Sequence, residues 1–148
     1  MGAFGDGMDH LNHSGWTVQI RNAVADGLPM LGICLGMQLL ADSGEEGGTT
    51  RGMGWIPGTA RKLRVDEKLF RLPHIGWDDV SVSAGCPLFN GIASPVFYFV
   101  HSYAVDSKDL KIVAATCSYG ETFTVAVQKE NIFGVQFHPE KSQKSGLN

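Results

Sequence analysis

The run Gly32-Ile33-Cys34-Leu35-Gly36 constrains this chain more than any other stretch. Apolar residues enter it at Met30 and leave it toward Leu39 and Leu40. The pattern predicts a short buried strand over 30–33 that turns at the cysteine into a helix over 35–41. A strand–turn–helix order belongs to α/β proteins with parallel pairing. Glycine two positions to either side lets such a turn be sharp, and the whole has the G-x-nucleophile-x-G form of a nucleophile elbow. The bend would lift the Cys34 sulfur clear of the sheet, at a helix N-terminus where the dipole and free N–H groups favour a thiolate. The N–H of Leu35 would then stand as an oxyanion donor. The same residues also fit a core cysteine packed between two apolar segments, because free cysteine is among the most buried residue types.

A thiolate nucleophile needs a base, and the base needs an orienting group. The sequence offers both at Gln136-Phe137-His138-Pro139-Glu140. His138 ends a predicted strand, Pro139 stops the ladder, and Glu140 is near enough to hold the imidazole in one tautomer. Read alone, the same residues make a surface His-Pro turn. The other histidines carry less. His10 and His13 have helical spacing but no third ligand, and His74 and His101 flank apolar strands as structural histidines do. Cys86 and Cys117 lack flanking glycines and read as structural.

Around the elbow the chain reads as one domain over residues 1–148. Residues 6–26 form an interrupted helix. Asp6 caps its first turn, His13-Ser14-Gly15 breaks it, and Trp16, Ile20, Ala23 and Val24 give the second part an apolar face. Gly27 suits its C-terminus, with Pro29 beyond. Residues 43–58 are glycine-rich loop without a phosphate-loop pattern. β-branched and aromatic runs predict strands at 59–63, 80–82, 96–100, 112–116, 124–128 and 132–137. Lys129-Glu130-Asn131 is a hairpin turn between the last two. A mostly parallel central sheet with antiparallel additions is expected.

Composition removes several function classes. A net charge of −3 gives no electrostatic footprint for nucleic acid or an anionic membrane. No apolar run approaches the roughly 18 residues that span a bilayer, and no basic-then-apolar leader opens the chain. Three scattered cysteines suit a reducing cytoplasm rather than a disulfide framework. No CxxC pair suggests zinc.

The strings Leu31-Gly32-Ile33-Cys34-Leu35-Gly36-Met37-Gln38 and Gln136-Phe137-His138-Pro139-Glu140 resemble the class I (triad) glutamine amidotransferase family. Gly2-Ala3-Phe4-Gly5-Asp6, Leu72-Pro73-His74-Ile75-Gly76-Trp77, Phe97-Tyr98-Phe99-Val100-His101-Ser102-Tyr103 and His138-Pro139-Glu140-Lys141-Ser142-Gln143 are similar to its branch of glutaminase subunits of imidazole glycerol phosphate synthase. The resemblance implies a three-layer, flavodoxin-like α/β fold and a Cys34-His138-Glu140 triad that splits glutamine into glutamate and ammonia. It puts Gly2, Leu35, Gly36, Gln38, Ser102 and Tyr103 near the glutamine. It puts Trp77, Tyr98 and Lys141 at the interface with a (β/α)8-barrel cyclase, which would use the channelled ammonia to make imidazole glycerol phosphate and an aminoimidazole carboxamide ribotide in histidine biosynthesis. It implies no metal or organic cofactor.

The resemblance also implies a strand, helix and strand ahead of the position of Gly2, a second oxyanion donor beside Met1 and Gly2, and a last helix running past Gly146-Leu147-Asn148. The expectation is therefore an incomplete domain, either a fragment or a start codon placed too late. Two further readings stand beside the histidine-pathway one. Gly54-Trp55-Ile56-Pro57-Gly58, Arg61-Lys62-Leu63 and Ala115-Thr116-Cys117-Ser118-Tyr119-Gly120 resemble a paralogous branch that supplies ammonia for a surface-glycan sugar. An inactive binding module is the other. A stand-alone cysteine hydrolase is a poorer fourth.

Overall fold

A computed structural model describes residues 2–83 and 85–147. In chain order the elements are α1 (Phe4–His13), α2 (Trp16–Ala25), β1 (Met30–Ile33), α3 (Leu35–Leu39), β2 (Ala41–Gly44), β3 (Thr50–Arg51), β4 (Ile56–Lys62), β5 (His74–Asp79), β6 (Ser81–Val82), β7 (Val96–His101), β8 (Tyr103–Ser107), β9 (Val113–Tyr119), β10 (Glu121–Lys129), β11 (Ile132–Val135) and α4 (Gln143–Leu147). The predicted order of strand, elbow and helix is present, and the fold is α/β. Met1 and Asn148, on which the expected oxyanion strand and final helix fall, lie outside the described residues. Among those residues no helix is long and apolar enough to cross a membrane.

The balance of the sheets differs from expectation. One runs β1-β11-β10-β9-β6, a second β3-β2-β4-β8, and β5 pairs with β7. Among the described strands only β1–β11 and β2–β4 are parallel. The cause is local: short turns such as Lys129-Glu130-Asn131 return the chain at once, and only a crossover allows parallel neighbours. Glu130 takes the left-handed conformation (φ 53°) in that hairpin, and Lys129 faces Ile132 across it.

Several predicted boundaries move. Asp6 sits inside α1 rather than capping it. Ala3 is the cap position, and the Phe4 N–H is satisfied by the Glu46 carboxylate at 2.9 Å, from the glycine-rich segment. α2 buries no residue fully; Ile20 and Val24 meet the core, whereas Trp16 stays 57% exposed, beyond the reach of the packing surface. α3 ends at Leu39, and Ala41 opens β2. The predicted loop over 43–58 holds β3 and parts of β2 and β4. Gly44 explains the misreading, because a Cβ there would stand 2.4 Å from the Phe4 ring. That glycine serves close packing, not a turn.

The core divides around the sheets. Phe97 stacks on Phe137 with ring centres 3.9 Å apart, and Phe89, Phe99 and Phe123 pack edge-on nearby. Met37, Leu40, Ile56, Val127 and Ile132 fill the space beneath the elbow. Along the outer edge of β1, Leu31 and Ile33 are exposed beside an apolar groove of about 460 Å³.

Arg61 ties β4 to β10. It donates through both terminal nitrogens to Glu121 at 2.9 and 3.0 Å, and through Nε to Asp106 at 2.8 Å. The hydrogen bond from Arg61 holds the Glu121 carboxyl below the usual carboxylate range, against the opposing effect of burial. A depressed folded-state pKa contributes stability above the unfolded value and loses it as pH falls through the folded one. Glu121→Gln is therefore expected to cost about 1–2 kcal/mol at neutral pH. The gap to the parent should begin to narrow as pH falls below about 4 and go on narrowing in stronger acid. Thermal melts of both proteins at several pH values check this, and a gap that persists undiminished in acid would contradict it.

Candidate active site

The elbow is built as its sequence requires at one glycine and not at the other. Cys34 has φ 51° and ψ −108°, a strained conformation for a residue with a side chain. Its N–H donates to Val135 O at 2.8 Å, which continues the β1–β11 ladder into the bend. A Cβ on Gly32 would stand 2.6 Å from Gly36 O and 2.8 Å from Met37 N, so a side chain is excluded there. A Cβ on Gly36 meets nothing within 4 Å. Crowding in the sharp turn thus demands glycine at 32 alone. Gly36 faces the apolar groove rather than the cavity at Cys34.

That cavity is about 240 Å³ and is lined by Gly2, Cys34, Leu35, Gln38, Glu46, Pro73, His101, Ser102 and Tyr103. Five of the predicted ligand residues therefore share one space with the sulfur: Gly2, Leu35, Gln38, Ser102 and Tyr103. Both amide hydrogens of Gln38 are already committed, to Tyr103 O at 2.7 Å and Gln136 Oε1 at 3.1 Å. Its oxygen is the group left for a ligand. Glu46 was not foreseen. Its signal was the pair Glu45-Glu46 inside a segment read as loop.

Cys34 is buried, and that burial pushes its thiol up. The Leu35 N–H and the Gln136 amide, whose nitrogen lies 3.6 Å from Sγ, pull the other way, while Glu140 adds to the rise. Desolvation wins, so the resting sulfur is a thiol. The expected help from the helix end is present only as the Leu35 N–H, because α3 is five residues long.

His138 and Glu140 follow β11. His138 Nδ1 lies 2.7 Å from Glu140 Oε1. An ionised carboxylate only accepts, so Nδ1 carries a proton, and in the neutral ring Nε2 is the bare nitrogen. Burial raises the Glu140 carboxyl, but its bond to His138, a backbone N–H and the nearby His138 and Lys141 together hold it below its ordinary value. His138 Nε2 is buried and has no hydrogen-bond partner among the described residues. Among the described residues no hydrogen bond joins it to Cys34 Sγ, and neither His138 nor Glu140 lines the cavity. The backbone holds the histidine in place: its N–H donates to Tyr98 O at 2.9 Å, and its carbonyl accepts from the Ser142 hydroxyl at 2.6 Å.

The predicted interface residues cluster on the outer face of the β5–β7 ribbon. Trp77 opposes Tyr98 in register, with ring centres 5.8 Å apart and edge-on. Lys141 Nζ stands 5.9 Å over the Tyr98 ring. Trp77 and Ile75 are 45% and 58% exposed there. Elsewhere, Cys86 and Cys117 are buried with raised thiols, Cys117 to about 11, and His13 Nδ1 is spent on Asp9 O.

The family model for class-I glutamine amidotransferases matches residues 4–146. The imidazole glycerol phosphate synthase subunit HisH of Moorella thermoacetica is 44% identical over 148 residues, covering 99% of this chain and 69% of its own length. The HisH subunit of Syntrophotalea carbinolica is 43% identical, covering 99% and 74%. Among solved structures, a glutamine amidotransferase from Thermotoga maritima superposes with a TM-score of 0.68 at 19% identity, over 98% of this chain and 54% of that one. That likeness speaks for the fold alone.

Proposed function

The chain belongs to the class-I glutamine amidotransferase family, and we infer that it is a glutaminase of the HisH type, hydrolysing glutamine to glutamate and ammonia through Cys34, His138 and Glu140. The observation that carries the reading is the orphaned Nε2 of His138. A buried nitrogen lone pair without a partner is costly, and here its opposite nitrogen is fixed by a carboxylate at the end of the strand that flanks the elbow. A base so prepared lacks only a proton to take.

The chemistry follows from the groups present. The Cys34 thiol gives its proton to His138 Nε2 as Sγ attacks the side-chain carbonyl carbon of glutamine. The developing oxyanion draws on the Leu35 N–H. The C–N bond then breaks, and the His138 imidazolium protonates the departing nitrogen, leaving ammonia and a thioester. His138 next takes a proton from water, hydroxide adds to the thioester carbon, and glutamate leaves as the proton returns to sulfur. Glu140 stabilises the imidazolium in both halves. The cavity suits an amino acid: the Glu46 carboxylate answers an α-ammonium, and Ser102 and Tyr103 offer hydrogen bonds to an α-carboxylate.

HisH is named as a subunit, and the Ile75-Trp77-Tyr98-Lys141 face supports a docking surface for a partner, which we assign to a (β/α)8-barrel cyclase of histidine biosynthesis that consumes the ammonia. Tyr98 joins that face to the site through its carbonyl bond to the His138 N–H.

The deciding experiment treats the chain with a glutamine-like chloroketone, with and without the barrel subunit, and maps adducts by peptide mass spectrometry. Labelling is expected at Cys34 alone, suppressed by excess glutamine. Equal labelling of Cys34, Cys86 and Cys117, or labelling that glutamine does not suppress, would overturn the reading.

A further inference from the structure

Behind the ribbon, on the face opposite Trp77, two histidines are buried with no role in the reaction just described. His74 and His101 oppose each other in the β5–β7 register and are 1% and 3% exposed. His74 is held between the Phe99 and Tyr119 rings. Three contacts link them into a line. His101 Nδ1 lies 2.9 Å from Tyr103 O, His101 Nε2 lies 3.2 Å from His74 Nδ1, and His74 Nε2 lies 2.6 Å from Asp78 Oδ2. At the inner end the Tyr103 carbonyl also accepts from Gln38, which donates to Gln136, whose amide nitrogen meets Cys34 Sγ. At the outer end the Asp78 side chain is 36% exposed.

The protons in this line can be counted. A carbonyl oxygen only accepts, so His101 Nδ1 must carry a hydrogen. Burial pushes His101 down to about 3, so it holds one proton only and its Nε2 is bare. His74 must then donate from Nδ1. That leaves His74 Nε2 facing a carboxylate oxygen, and two neutral imidazoles have no proton left for this contact. The geometry therefore requires a third proton between His74 Nε2 and Asp78 Oδ2, which the burial of His74 opposes and the contact with Asp78 favours. Without it, two lone pairs would confront each other somewhere along the line, either between the rings or against Tyr103 O.

We propose that Asp78, His74 and His101 are positioning residues for the Cys34 site: a proton held between Asp78 and His74 sets both tautomers and thereby fixes the Tyr103 carbonyl. That carbonyl orients Gln38, and through it the Gln136 amide that donates to the sulfur. The inference rests on the reading of Cys34 as nucleophile only for its kinetic consequence.

The outer residue supplies the test. Asparagine at 78 can donate its own N–H to the bare His74 Nε2 and close the line with no extra proton. Leucine fills the same space and donates nothing. With the full chain and the glutamine-like chloroketone, Asp78→Leu is expected to lower the limiting inactivation rate at Cys34 about tenfold, the effect of one buried hydrogen bond. The half-saturating concentration should stay within about twofold, since residue 78 itself lies outside the cavity lining. Asp78→Asn should return the rate to within about twofold of the parent. Imidazole ¹⁵N spectra of the parent are expected to show the Nδ1–H tautomer at His101. Equal effects of leucine and asparagine, no effect of leucine, or the Nε2–H tautomer at His101 would each overturn the relay. If the parent shows no glutamine-protected labelling, it is the glutaminase reading that fails, and the spectra still decide the relay. If Asp78→Leu does not fold, the asparagine variant and the spectra decide it.

Discussion

His138→Asn is expected to lower glutamine hydrolysis by about 10³-fold or more while leaving glutamine binding nearly unchanged. The substitution is selective. Asparagine places an amide close to the position of Nδ1, so the bond to Glu140 survives, and the backbone bonds to Tyr98 and Ser142 do not depend on the side chain. What is lost is Nε2, the buried nitrogen without a partner. Because burial holds Cys34 as a thiol, the sulfur cannot attack without a group to take its proton. Loss of the base should therefore also slow chloroketone labelling of Cys34. Raising the pH should recover part of that labelling, as hydroxide replaces the base. Glu140→Gln gives the complementary result: an amide that donates to Nδ1 would move the imidazole proton to Nε2, the wrong end for a base. Steady-state hydrolysis with the barrel subunit present, together with labelling rates for both variants, checks these outcomes. A His138→Asn protein with parental turnover would remove His138 from the mechanism.

The parts of this site that could be read in the sequence are those whose geometry is local. Cys34 lies between an apolar strand and an apolar helix with glycine at the point of crowding, and a bend follows from that order alone. His138 and Glu140 are two residues apart, so their pairing needs no tertiary knowledge. The relay residues were opaque for the opposite reason. His74 and His101 meet only because β5 and β7 pair, and β5 itself was missed: Gly76, Asp78 and Asp79 give it a poor strand composition. β8 was missed likewise. Its run Tyr103-Ala104-Val105-Asp106-Ser107 follows β7 after one residue and reads as a tail of it. Glu46 was hidden by its neighbours, since a glycine-rich segment looks like loop whether its glycines make turns or admit a ring, as Gly44 admits Phe4. The excess of parallel pairing came from extending one strand–turn–helix signal to strands whose connections are hairpins.

Gly32→Ala tests the elbow at its most crowded atom. The added methyl would meet the Gly36 carbonyl oxygen at 2.6 Å and the Met37 nitrogen at 2.8 Å, and both are backbone, so neither can swing aside as a side chain would. Relief requires the first turn of α3 to move away from β1. That turn carries the Leu35 N–H and Gln38, and Met37 beneath it is fully buried. Overpacking of this kind costs about 1–3 kcal/mol, and the displacement of Leu35 adds a catalytic loss, since one misplaced oxyanion donor costs roughly 10²–10³ in rate. Gly36→Ala is the control, because its Cβ meets open space and alanine is the better helix former by roughly 1 kcal/mol. Gly32→Ala should thus melt lower and lose most of its Cys34 labelling, while Gly36→Ala should melt no lower than the parent and label at a similar rate. Thermal melts and labelling of the pair read both effects. Equal tolerance of alanine at the two positions would mean that the bend can open without harm, and that the strained Cys34 backbone is not what holds the sulfur in place.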